Sequence, residues 1–232
     1  MSESGVKRKD LLRLLLSDTS TTHVRGGWYV RKVDTPGGGE FFLAEGVVRV
    51  PQRTACAMVR EADLTPLAGS LAEWKVIRSD AAAPRFARCV QYTSRLPWPF
   101  ADRNFNVEGW FLPETSLPPH LKGATVYVSQ TSPGAAPLRL RNAGGVDGDV
   151  EISAYVFMSV PGDANRCFVR RVICIDLKMG LPPWMLRASF VRAFESNFVW
   201  MDRPGDAAAA ALRERIAADP AYASVFPSRR GR

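Results

Sequence analysis

Two histidines, four cysteines and scattered carboxylates are the residues of this chain best suited to chemistry, and their spacing argues against most of it. His23 and His120 both stand in turn-like contexts, so an acid–base mechanism built on histidine has few candidates. Cys56, Cys89, Cys167 and Cys174 form no C-x-x-C pair and sit among apolar neighbours. That is the pattern of small core thiols, not of a zinc site or a redox pair. The "DGD" at 147–149 lacks the further acidic ligands of a calcium loop and reads as a polar hairpin turn. No G-x-S-x-G, no G-x-x-x-x-G-K-[ST] and no H-E-x-x-H occurs. No metal and no cofactor is expected, and the residues favour binding over turnover.

Strand parity supplies the more informative candidates. In "CFVRRVICIDL", Cys167, Val169, Arg171, Ile173, Ile175 and Leu177 point to one side. If that side faces the interior, Arg171 is a cation on an apolar wall and requires a partner or a ligand. The other reading places Arg171 near a strand rim, reaching water. In "NFNVEGWF", Phe105, Val107, Gly109 and Phe111 share a face, and Gly109 either opens space for a ligand or marks a bulge. In "LPPWMLRASFVRAFESNFVWM", Leu186, Phe190, Phe194 and Phe198 recur at every fourth position, with Ala193 and Met201 alongside. That spacing predicts a long helix with a broad aromatic stripe.

The elements that must position these residues follow from the rest of the chain. With 232 residues, 46% of them hydrophobic, it is long enough for one domain with a sizeable core. Residues 7–16 read as a short helix that docks on the domain or touches a membrane; its shortness favours docking. Two strands flank "TPGGGE", then "PQRTACAMVREADLTPLAGSLAEW" turns helical, with Pro66 as a breaker and a short second helix after it. From residue 85 strands and turns alternate at short spacing, which implies an antiparallel meander in an α+β fold. The tail "DRPGDAAAAALRERIAADP" reads as one more exposed helix. The expected division is 1–24 helix and linker, 25–204 main domain, and 205–232 helical tail.

The net charge of +8 is spread thinly, dense only in "VKRK" and "SRRGR" near the ends. No helix-turn-helix, zinc finger or RNA-binding aromatic motif accompanies it, so nucleic acid is not an expected partner. No apolar run approaches the roughly 18 residues of a bilayer span, and no small-residue cleavage site follows the N-terminal leucines. A cytoplasmic protein is expected.

The stretch "RLPWPFADRNFNVEGWF" looks like a rigid corner, because Pro97 and Pro99 restrict themselves and their predecessors. Asp102 and Arg103 are placed to tie that corner down. "PWPFADRNF" resembles the P-x-P-x-x-x-R-D-[FY] corner of the START family, the lipid-transfer domains related to steroidogenic acute regulatory protein. "ICIDLKMGLPPWML" is similar to that family's final strand and the start of its last helix. The resemblance covers roughly residues 27–201, and the family's Arg-Asp reads Arg103-Asn104 here.

What the resemblance implies is a helix-grip fold, a curved antiparallel sheet wrapped around a long C-terminal helix that acts as a lid over a lipid-sized tunnel. It makes Pro97, Pro99, Asp102, Arg103, Asp176, Pro182 and Trp184 structural residues of the motif. The expected lining is Phe105, Val107, Arg171, Ile173, Met185, Phe190 and Phe194. The implied function is non-catalytic binding and transfer of one lipid (phospholipid, sterol or similar), by a monomer making transient contact with anionic membranes. Two alternatives stand beside it. One is a cyclase- or hydrolase-type enzyme using a polar cluster from Tyr155, Arg171 and Asp102. The other is a regulatory module that senses lipid.

Overall fold

Among the described residues the period-two alternation is realised as nine strands: β1 (Tyr29–Asp34), β2 (Glu40–Val48), β3 (Leu71–Ser79), β4 (Arg88–Ser94), β5 (Arg103–Phe111), β6 (Thr125–Thr131), β7 (Val146–Asp147), β8 (Asp149–Val160) and β9 (Asp163–Asp176). The computed structural model describes residues 12, 13, 15, 16, 29–34, 40–64, 71–80, 85–96, 100–132, 145–179 and 183–226. The strands form one sheet in the order β1-β2-β9-β8-β6-β5-β4-β3, with β7 beside β5. All pairings are antiparallel except β5 with β7. Gly162, at φ 78°, supplies the left-handed turn that lets β8 fold straight back into β9.

The helices of the described residues are α1 (Gln52–Arg60), α2 (Pro183–Asp202), α3 (Asp206–Ala218) and α4 (Pro220–Val225). The sheet grips them, giving the expected α+β, helix-grip architecture. Its inner face carries Phe42, Phe111, Tyr127, Val169 and Ile173, packed with Cys56 and Met58 of α1 and Phe194, Phe198 and Met201 of α2. Each such side chain contributes roughly 1.5–3 kcal/mol when fully buried.

The outer face is also apolar at its centre, with Leu43, Val126, Ile152, Val156 and Val172 in a second cluster. Leu15 closes over that cluster and is itself fully buried. Arg170 donates to the Leu15 carbonyl at 3.3 Å, and the Leu16 carbonyl lies 2.9 Å from His120 Nε2. So the described part of the N-terminal segment docks, as expected. Beneath it Glu45 and Arg170, direct cross-strand partners, form a buried ion pair at 3.0 Å.

Two expectations fail. The residues read as a second helix after Pro66 belong in part to β3, which begins at Leu71. A register shift between Leu71 and Glu73 is the cause: the bulge turns Leu71 and Trp74 to the same side, and a spacing of three mimics a helical stripe. The tail is not an exposed helix either. Leu212 of α3 and Tyr222 of α4 are fully buried and join the inner cluster with Ile216 and Ala221. The alanine run had blurred the apolar pattern that marks this packing face.

Candidate ligand cavity

Between the concave face of the sheet, α1 and α2 lies a cavity of about 300 Å³. One wall is an aromatic ladder on three adjacent strands. Trp74 stacks on Tyr92 at 5.6 Å, and Tyr92 on Phe105 at 5.0 Å, each a direct cross-strand pair. Val107 continues the wall toward Gly109. The glycine does not open the space expected of it, because Tyr127 fills that space. A Cβ at Gly109 would stand 2.0 Å from the Tyr127 hydroxyl oxygen. Burial pushes the Tyr127 phenol up to about 12, against the nearby charges of Arg60 and Arg88.

The opposite wall is β8 and β9. Arg171 faces the cavity beside Ile173 and Ile175, which settles the parity reading in favour of the interior. Its guanidinium lies 4.8 Å from the Tyr155 ring centre and 4.9 Å from that of Phe194 on α2. These are cation–π contacts; the buried Nε has no hydrogen-bond partner. Burial raises the Tyr155 phenol, partly offset by the Arg171 charge, so the hydroxyl stays protonated near neutrality.

The corner before β5 is held by hydrogen bonds to backbone. Asp102 Oδ1 accepts from the Leu96 N–H at 3.3 Å, spanning the turn. Arg103 is buried and donates from Nε to the Leu177 carbonyl at 2.5 Å and from Nη1 to the Ala101 carbonyl. It therefore pins the start of β5 to the chain leaving β9. Asn104 accepts from the Thr93 hydroxyl at 2.8 Å, a cross-strand bond in which an amide serves as acceptor. Beyond β9, Asp176 accepts from the Lys178 N–H at 2.8 Å and pairs with its ammonium. This Asx-type turn stabilises Lys178 at φ 48°, left-handed geometry that a side chain rarely adopts. At the far end of α2, Asp202 takes the Arg49 backbone N–H at 2.9 Å and its guanidinium Nε at 2.8 Å.

Behind the cavity the C-terminal helices are clasped by a buried carboxylate. Glu61, 1% exposed, accepts from Arg88 at 2.7 Å, Arg215 at 2.8 Å and the Tyr222 hydroxyl at 3.0 Å, with Arg60 3.8 Å away. Arg60 in turn binds Asp219 at 2.5 Å, and Arg215 binds Asp63 at 2.7 Å. Burial would raise the Glu61 pKa, but the hydrogen bond and charge of Arg88, then Arg215 and Arg60, outweigh it and hold it below the ordinary range. Arg60 and Arg88 also border the cavity, so the clasp forms part of its floor.

Of the expected lining, Phe105, Val107, Arg171, Ile173 and Phe194 meet at the one cavity. The side chains of Met185, Phe190 and Trp184 lie outside the described residues, as do Pro97, Pro99 and Pro182. The polar cluster considered for an enzyme is only partly assembled: Tyr155 and Arg171 adjoin, while Asp102 serves the corner. Sequence reasoning missed Trp74 and Tyr92, whose signal was an aromatic at paired strand positions, and it missed Tyr127. Cys56, Cys89 and Cys167 are buried free thiols, as their apolar neighbours implied.

No protein-family model matches the chain, and no curated protein matches it in sequence. Solved structures do. Human STARD10 superposes with a TM-score of 0.65 at 14% identity, over 95% of this chain and 87% of that one. The lipid transfer and protein localization domain of human StarD13 (DLC2) gives 0.57 at 19% identity, over 88% and 99%. The STAR-related lipid transfer protein of Xanthomonas axonopodis gives 0.57 at 15% identity, over 81% and 94%. The chain has the START-type helix-grip fold.

Proposed function

We propose that this chain is a non-catalytic lipid carrier, which holds one lipid in the cavity beneath α2 and exchanges it with membranes when that helix swings away. The observation that carries the reading is the cavity itself: a partly open space between sheet and helix, walled by an aromatic ladder and aliphatic side chains. Each methylene moved from water into such a space contributes about 0.8 kcal/mol, so a chain of roughly ten binds with few polar contacts. The lipid-transfer names of the structural neighbours support the same reading.

Binding without turnover fits the lining. Among the described residues, no histidine, thiol or carboxylate borders the cavity, and the Tyr155 phenol is shifted away from base strength. The basic net charge of +8 assists docking to anionic lipid surfaces. Phe105, Val107, Ile173 and Phe194 are the apolar contacts of the bound chain. Native mass spectrometry of the purified protein, with transfer measured between liposomes, tests the proposal. A lipid-free protein that moves none between vesicles would refute it.

A further inference from the structure

Every strongly polar group on the cavity wall that lacks a partner is a donor. The Nε of Arg171 and the Nε1–H of Trp74 are both buried and both without an acceptor. They belong to one neighbourhood: Trp74 stacks on Tyr92, and the Arg171 charge acts on the phenols of Tyr92 and Tyr155. Four arginines border the cavity, at 60, 88, 103 and 171, and no carboxylate does among the described residues. The Nε of Arg60 and that of Arg88 also lack an acceptor, but three of the four arginines have a carboxylate or carbonyl partner from behind. Arg60 has Asp219, Arg88 has Glu61, and Arg103 donates to backbone carbonyls. Among the described residues Arg171 has two aromatic faces, which offset part of the cost of desolvating the cation but supply no counter-charge.

Resting on the lipid-carrier reading, we propose that the ligand brings the missing anion: a single-chain amphiphile whose carboxylate or phosphate head pairs with Arg171 and accepts from Trp74. Size points the same way as charge. A cavity of about 300 Å³ stands at the small end of the roughly 300–1,000 Å³ range of ligand pockets. That favours one short chain or a small ring system over the two acyl chains of a phospholipid. The head sits between the Arg171 guanidinium and the indole, and the chain runs along Phe105, Val107 and Ile173.

The test compares ligands of equal length against the full chain, read by tryptophan emission, since Trp74 and Trp200 both border the cavity. Decanoate and decyl phosphate supply the two kinds of anion, decan-1-ol the neutral head, decyltrimethylammonium the opposite charge, and phosphatidylcholine vesicles the two-chain lipid. A charge-assisted hydrogen bond contributes enough for an anion to bind on the order of 10- to 100-fold more tightly than the alcohol. Arg171→Met should abolish that preference, so that anions and decanol bind the variant equally. Because it removes a half-buried cation whose Nε has no acceptor, the variant should melt no lower than the parent. The ratio of decanoate to decyl phosphate identifies the head. Equal binding of alcohol and anions, an unchanged preference in R171M, a destabilised R171M, or preferential loading of phosphatidylcholine would each overturn the proposal and leave the carrier reading standing. If none of these amphiphiles binds, the carrier reading itself fails.

Discussion

Replacing Glu61 by glutamine removes the one carboxylate on which Arg88, Arg215 and Tyr222 converge, and the cost follows from what each cation retains. Arg215 keeps Asp63 at 2.7 Å and is partly exposed, so its loss is small after solvent screening. Arg60 keeps Asp219. Among the described residues Arg88 keeps one hydrogen bond, to the Arg60 carbonyl at 3.5 Å, and the charge of Asp219, and its side chain is 11% exposed. Breaking a buried pair from one side costs about 3–5 kcal/mol, and the surviving partners place Glu61→Gln near the lower end, at about 3 kcal/mol. For a chain of this length that is a fall of about 6–12 °C in melting temperature. The effect depends on pH with a definite sign. The folded-state pKa of Glu61 is depressed, so its stabilisation is fully present above the ordinary glutamate value and is lost as the pH falls through the folded-state value. Urea titrations of parent and variant at neutral and at acid pH measure this. The gap should be widest near neutrality and close in acid. A variant within about 0.5 kcal/mol of the parent at neutral pH, within the ordinary range of a surface substitution, or a gap unchanged by acid, would refute the clasp.

Gly109→Ala should cost about 1–3 kcal/mol, because the new methyl must displace the buried Tyr127 ring. In a urea double-mutant cycle with Tyr127→Ala the two losses should fall well short of additivity. Val107→Trp should fill the cavity and abolish lipid loading in native mass spectra, with the far-ultraviolet circular dichroism unchanged. Asp202→Asn releases the end of α2 from Arg49 and should speed lipid exchange between liposomes without lowering the equilibrium load. The hydrogen bond from Arg49 depresses the Asp202 pKa, so this restraint is intact at neutral pH and weakens as the pH falls below the ordinary aspartate range. Exchange by the parent should therefore quicken in acid, and exchange by D202N should not.

Much of the inner wall was legible because strand parity needs no tertiary information: Arg171 and Ile173 on β9, and Phe105 and Val107 on β5, face where alternation puts them. The fold was legible because turn residues cut the sequence into short strands before one long aromatic-striped helix. What alternation hides is a change of phase. The bulge in β3 placed Leu71 and Trp74 together at helical spacing, so the Trp74 end of the aromatic ladder read as helix. A glycine is equally silent about what fills the space above it; Tyr127 comes from a different strand, two positions diagonal in register. The Glu61 clasp was illegible for another reason. Apart from Arg88, "READ" at 60–63 finds its partners more than 150 residues later, in a tail whose alanines carry little pattern.

The buried thiols give the molecule an internal clock. Cys56 on α1 and Cys167 on β9 are both 0% exposed, and Cys56 packs in the same cluster as Phe194 and Phe198 of α2. Burial drives the Cys167 thiol up to about 12 and Cys56 higher still, so neither offers a useful fraction of thiolate while the structure is closed. An alkylating reagent must then wait for the sheet and helix to part, and the rate at which these sulfurs are labelled counts those partings. Because the cavity lies under α2, a bound chain that holds the grip shut, as the carrier reading requires, should slow the count. Occupancy becomes readable without a labelled ligand or an added probe.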